Sequence, residues 1–135
     1  MSDLKILLVD DDAEDRSIAA EAIHEVDEGV SIQLAESGYE ALKLMNAFFD
    51  ESSLPNLIVL DVNMPKMTGT EVLRAIKSDT RFNTIPVIIY STSINPYEKD
   101  RCVNLGAHSY ITKPVSYKES IEVANQFVQL CRPAL

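Results

Sequence analysis

Basic residues are scarce in this sequence: 12 lysines and arginines stand against 21 acids, a net charge of −9 at pH 7. A protein that grips a nucleic-acid backbone needs a basic face to release counterions, so direct nucleic-acid binding is not expected. Much of the acidity reads as plain solvated surface, which suffices for Glu14, Glu21, Glu25, Asp27 and Glu28. Cysteine is nearly absent as well. Cys102 and Cys131 have neither CxxC spacing nor neighbouring histidines, which argues against zinc and for two reduced structural thiols. No apolar run approaches the roughly 20 residues that cross a bilayer. The start, Met1-Ser2-Asp3-Leu4-Lys5, lacks the basic residues and apolar stretch of a secretion signal. A cytoplasmic protein without membrane contact is the expectation. Repeats, low-complexity tracts and linkers are missing too, so the 135 residues are read as one domain, its core over about residues 4–131, with no room for an appended output domain.

What the chain does have is a regular alternation. Ile6-Leu7-Leu8-Val9, Leu57-Ile58-Val59-Leu60, Ile85-Pro86-Val87-Ile88-Ile89-Tyr90 and Tyr110-Ile111-Thr112 are apolar, strand-like runs. Ser31 to Ala35 is a weaker strand whose alternation puts Ile32 and Leu34 on one face. Between the runs lie segments of helical spacing: Ile18, Ala19, Ala22, Ile23 and Val26, then Ala41, Leu42, Met45, Phe48 and Phe49, then Val72, Leu73 and Ile76. Tyr117, Ile121, Ala124, Val128 and Cys131 paint one apolar stripe on a C-terminal helix. Ser37 with Glu40, Thr68 with Glu71, Asn95 with Glu98 and Ser116 with Glu119 have the form of capping boxes at helix starts. Glu28-Gly29, Leu54-Pro55-Asn56 and Leu105-Gly106 read as stops. The order is β-α five times over. It predicts an α/β fold, a doubly wound five-stranded parallel sheet with right-handed crossovers and helices on both faces.

Polar residues stand where the strands end, and parallel strands would bring those ends to one edge. Asp10 and Asp11 follow the first strand, Asp61 the third, Ser91 the fourth and Lys113 the fifth. Two unit charges about 4 Å apart repel by roughly 4 kcal/mol at an effective dielectric near 20, so adjacent acids on so apolar a strand are costly without a cation. Magnesium suits the set, because it takes oxygen ligands and usually binds through one or two carboxylates beside a phosphate. Asp61 ends the most apolar strand and can ligate the metal with one oxygen while the other attacks phosphorus. Lys113 precedes Pro114, which biases its backbone toward extended geometry, and its ammonium would neutralise a phosphoryl oxygen. Blander readings exist for each. Asp12, with Asp15 three residues on, reads as a helix cap; Ser91 and Thr92 can simply terminate a strand; a lone lysine is commonly solvated surface.

The segments Leu7-Leu8-Val9-Asp10-Asp11, Leu60-Asp61-Val62-Asn63-Met64-Pro65-Lys66-Met67-Thr68-Gly69, Pro86-Val87-Ile88-Ile89-Tyr90-Ser91 and Tyr110-Ile111-Thr112-Lys113-Pro114 resemble the response regulator receiver family of two-component signalling, with its flavodoxin-like fold. The resemblance runs from about Leu4 to Cys131. It implies that Asp61 accepts a phosphoryl group from a phosphohistidine on a sensor histidine kinase or phosphotransfer protein. It further implies that Asp11 and Asp61 ligate Mg²⁺ directly, Asp10 through water and Asn63 through its backbone carbonyl. Lys113 would pair with the phosphoryl group, its bond to Pro114 cis. Ser91 would move toward the phosphoryl group and Tyr110 would change rotamer, although a half-buried core aromatic also explains Tyr110. Thr92 replaces the alanine common after the switch hydroxyl, and Ser93 and Asn63 fall where the family modulates loss of phosphate. Output would be protein contact through the face of the fourth and fifth helices and fifth strand, with a homodimer among the contacts expected. The Phe48 to Asn56 connection and the Tyr110 to Val115 segment resemble small free-standing receivers, some of which serve phytochrome-type kinases.

Other classes fit less well. Haloacid-dehalogenase-like phosphohydrolases also use an Asp nucleophile near Mg²⁺, but they carry a second Asp two residues on, where this chain has Asn63. An FMN carrier needs a phosphate-binding loop after the first strand, and the acids there would repel phosphate. A binding module that works without phosphorylation is the remaining alternative.

Overall fold

Each apolar run becomes a strand and each periodic segment a helix, in the order β1 (Lys5–Val9), α1 (Ala13–Val26), β2 (Ser31–Ala35), α2 (Gly38–Ala47), β3 (Leu57–Leu60), α3 (Gly69–Lys77), β4 (Val87–Ser91), α4 (Pro96–Asn104), β5 (Ser109–Thr112) and α5 (Tyr117–Cys131). The computed structural model describes residues 4–47, 53–92 and 95–132; Phe48, Phe49 and Ser93 lie outside them. The strands form one parallel sheet in the order β2-β1-β3-β4-β5. The chain steps outward from β1 to β2, then returns to the other side of β1. The strand order therefore reverses between β1 and β3, the place where doubly wound sheets open a crevice at their carboxyl ends.

Alternation along the strands divides the interior in two. Leu7, Val9, Ile58, Leu60, Val87 and Ile89 face one core with residues of α2, α3 and α4. Ile6, Leu8, Leu57, Val59, Ile88 and Tyr90 face the other with residues of α1 and α5. Both faces of the central strands are thus covered, which is why β1, β3 and β4 read as unbroken apolar runs. The edge strand β2 is less buried, and Leu34 is left exposed on it.

Two helical stripes differ from the sequence reading. On α1 the alanines Ala19 and Ala22 and the adjacent Ile23 are buried, whereas Ile18 points out, because small residues let α1 and α5 approach each other. On α5, Tyr117 is exposed and Phe127 takes an inner position, its ring edge-on to Tyr90 at 5.4 Å. Tyr117 lies in the first turn of α5, while Phe127, three residues after Ala124 and four before Cys131, shares their face. Cys102 and Cys131 are free and buried. Burial pushes the Cys131 thiol up to about 12, which suits an inert structural role.

The helix starts follow the caps. Ser37, Thr68 and Ser116 accept the backbone N–H groups of Glu40, Glu71 and Glu119 at 3.1, 3.3 and 3.2 Å. Asn95 accepts from Tyr97 at 2.9 Å instead of from Glu98. Glu98 is engaged elsewhere, at the functional edge described below.

Gly69 opens α3 against the end of β3. A Cβ there would run into the carbonyl oxygen of Asp61 and lie 2.7 Å from Cα of Val62. Both neighbours are backbone and cannot yield without moving the strand end. Gly69→Ala is therefore expected to destabilise the protein by about 2–3 kcal/mol, the cost of an overpacked site, measured as a lower urea midpoint with unchanged slope.

Candidate functional site

The sheet's hydrogen-bond ladder continues one residue past the strands. The N–H of Asp10 bonds the carbonyl of Ala35 at 3.0 Å, that of Asp61 the carbonyl of Val9 at 2.9 Å, and that of Lys113 the carbonyl of Ser91 at 2.8 Å. Three polar residues 103 positions apart at their extremes, Lys113 minus Asp10, are fixed by backbone pairing beside one another. The peptide bond between Lys113 and Pro114 is trans, as no cis bond occurs among the described residues. The implied cis form is thus absent. Trans is favoured for X–Pro by about 0.5–1 kcal/mol, and in this form Lys113 already makes its ladder bond and reaches the acids.

Asp10 and Asp61 are 2% and 6% exposed, and Ser91 is wholly buried. Asp11 is exposed. Each of the three aspartates offers a carboxylate oxygen, and these atoms lie within 4.8 Å of one another. Lys113 reaches over them with its ammonium 2.6 Å from Asp10, 2.8 Å from Asp15 and 3.5 Å from Asp61. Local bonds order the loop acids. The N–H of Asp12 donates to Asp10 Oδ1 at 3.0 Å, the N–H of Asn63 to Asp61 Oδ1 at 3.1 Å, and Arg16 to the carbonyl of Asp10 at 2.7 Å. Asp12 also caps α1 by accepting from the N–H of Asp15 at 3.1 Å, the role its position predicts.

Burial pushes the Asp61 carboxyl up to about 6 from its ordinary 3.8, against the pull of Lys113, with the charges of Asp10 and Asp11 adding to the rise. Burial alone would lower the Lys113 ammonium. Hydrogen bonds to Asp10 and Asp15, with the charge of Asp61, hold it above its ordinary range instead. Oxygen donors of this kind, two of them buried and one still disfavoured as an anion beside a lysine, fit a hard divalent cation. The same set also has the parts for phosphoryl transfer: a carboxylate nucleophile and a cation positioned beside it.

On the other side of Asp61, the side-chain amide of Asn63 donates to Ser91 Oγ at 3.2 Å. The acceptor's loop and the hydroxyl of β4 are thereby joined. Thr92 next to it is exposed. Tyr110 is half-buried and donates its hydroxyl to Glu98 at 2.6 Å, the length of a charge-assisted bond. Asp15, Glu98 and Arg16 were not foreseen as site residues. Asp15 stands in the first turn of α1 and meets Lys113; the sequence signal there pointed only to a helix start. For Glu98 the capping pattern pointed to a different partner.

Comparison with known proteins gives one family. The sequence pattern of the family described as "Response regulator receiver domain" matches residues 6–125. The two-component response regulator ORR1 of Oryza sativa subsp. japonica is 32% identical over 96% of this chain, which spans 55% of that relative's length. Among solved structures, the phosphorylated cyanobacterial phytochrome response regulator RcpA is 33% identical with a TM-score of 0.82, covering 91% of this chain and 89% of that one. The Mn²⁺-bound form of the response regulator Rcp1 is 28% identical with a TM-score of 0.79, covering 91% of this chain and 90% of that one. With an acid rim at the switch point of a 2-1-3-4-5 sheet and a family match over most of its length, the chain belongs to the response regulator receiver domain family and is a phosphorelay response regulator.

Proposed function

We propose that Asp61 is the residue that takes the phosphoryl group, and that the donor is a phosphohistidine on a histidine kinase or phosphotransfer protein. The observation that carries this is the meeting of Asp61 with Lys113 and two further aspartates at the carboxyl edge of β1 and β3. In the transfer, an Asp61 oxygen bonds to phosphorus as the phosphorus–nitrogen bond breaks, and the imidazole leaves with that electron pair and takes up a proton. Asp10, Asp11 and Asp61 would hold Mg²⁺, with Asn63 adding its carbonyl; the ion, when bound, neutralises charge on the phosphoryl oxygens. Lys113 holds a second positive charge beside them. Relatives named as response regulators, one solved with Mn²⁺ and one phosphorylated, support both assignments.

Ser91 and Tyr110 form the switch in this reading. A phosphoryl group adds charge and acceptor oxygens that can accept from the Ser91 O–H, while the Ser91 oxygen accepts from the amide of Asn63. Tyr110 and its bond to Glu98 relay the change to α4. The face of α4, β5 and α5 is then the output surface, where Tyr97 and Val103 are already exposed, and its occupant is a partner protein or a second copy of this chain. Thr92, next to Ser91 in the chain, together with Ser93 and Asn63, two residues beyond Ser91 and Asp61 in sequence, sets the lifetime of the phosphoryl group in this reading. Among the described residues no helix is long and apolar enough to cross a membrane.

The test is labelling with acetyl phosphate and Mg²⁺, read by intact mass and by mapping the modified peptide. Wild type is expected to gain one phosphoryl group on Asp61, Asp61→Asn none, and chelation of the metal should suppress the reaction. Ser91→Ala is expected to label while showing smaller amide shifts in α4. Full labelling of Asp61→Asn would remove the assignment.

A further inference from the structure

We infer that Asp15 is a positioning residue for the phosphoryl-transfer site: it holds the Lys113 ammonium toward α1 and competes with the phosphoryl group for it. The inference rests on Asp61 being the acceptor. Lys113 has three N–H donors. Two of them serve Asp10 at 2.6 Å and Asp15 at 2.8 Å, whereas Asp61 lies 3.5 Å away. The lysine expected to meet the phosphoryl group is thus held closer to Asp15 than to Asp61, by an acid that takes no part in the metal cluster. Asp15 is well placed for this. Its backbone N–H is fixed by Asp12 as the start of α1, and its side chain sits partly exposed at the outer margin of the site while that of Asp10 is buried.

The consequence is a competition between anions for one cation. When a phosphoryl group joins Asp61, its oxygens and the Asp15 carboxylate attract the same ammonium, and the lysine's position is set by the balance between them. Removing the Asp15 charge releases Lys113 toward Asp61. That favours an added anion at Asp61 and, by the same shift of positive charge, disfavours a metal cation there. The two effects have opposite signs, which a mere loss of fold would not produce.

Beryllium trifluoride, a tetrahedral mimic of the phosphoryl group, gives the readout. Its affinity is measured at saturating Mg²⁺, and the affinity for Mg²⁺ is measured separately, both by amide shifts, for wild type, Asp15→Asn and Asp15→Glu. Asp15→Asn is expected to bind the fluoride complex roughly two- to fivefold more tightly and Mg²⁺ more weakly by a similar factor, the scale of one part-exposed ion pair. The backbone cap to Asp12 survives in this variant. Asp15→Glu, which keeps the charge, is expected to return both values toward wild type. If Asp15→Asn binds beryllium trifluoride no more tightly than wild type, or loses affinity for both ligands, the inference is wrong while the acceptor assignment stands. If wild type itself binds none, it is the acceptor assignment that fails.

Discussion

Lys113→Ala is expected to destabilise the metal-free protein by about 3–5 kcal/mol at pH 8, the cost of breaking a buried pair and leaving its partners charged. The lysine side chain is 10% exposed, and its ammonium bridges three carboxylates, two of them on buried residues. Its removal leaves Asp10 and Asp61 near each other with only the N–H groups of Asp12 and Asn63 and no cation to balance them. The deficit should shrink as pH falls, because the Asp61 carboxyl already takes up a proton near pH 6 and without the lysine would do so at higher pH still. Mg²⁺ should restore part of the loss, since a ligand that binds the folded state alone stabilises it. Urea unfolding at pH 8 and pH 5, with and without Mg²⁺, separates these contributions. An unchanged midpoint at pH 8 would show that the bridge has no net worth.

The same electrostatics predicts that Asp61→Asn makes the metal-free protein more stable. The folded state holds the Asp61 proton up to about pH 6, the unfolded chain to about 3.8. Between those values the folded form binds more protons, so its stability falls as pH rises; above about 6 the whole deficit is present. Asparagine escapes this cost. The variant should match wild type below pH 4 and exceed it above pH 6 by about 1–2 kcal/mol, after allowance for solvent screening at the rim. Mg²⁺ should narrow the gap by stabilising wild type more. Thermal or urea unfolding across pH 4–8 checks it; a variant less stable than wild type at pH 8 would mean that Lys113 outweighs burial at this carboxylate. A functional group held at a cost to the fold is the usual trade between activity and stability.

Most of this was legible in the residues because the sheet is parallel and doubly covered. Strands buried on both faces must be apolar along their whole length, so a charged residue at the end of one is conspicuous, and Asp10, Asp61 and Lys113 stood out for that reason. Capping residues were equally visible, since their partners lie three residues away in the chain. What escaped notice were contacts between elements distant in sequence. Asp15 meets Lys113 across 98 positions and Glu98 meets Tyr110 across 12, and periodicity on one helix cannot say which neighbour its polar side faces. Ile18 and Tyr117 were misplaced for a related cause: both carry apolar side chains at nearly helical spacing, but only the packing of α1 against α5 decides where the stripe ends.

The backbone pairing that runs on beyond β1, β3 and β5 has a broader effect. Because the reacting groups hang from the hydrogen-bonded sheet, sequence drift in the surrounding helices can retune recognition while the reaction geometry stays put. Such a scaffold can diversify its clientele without reinventing its chemistry.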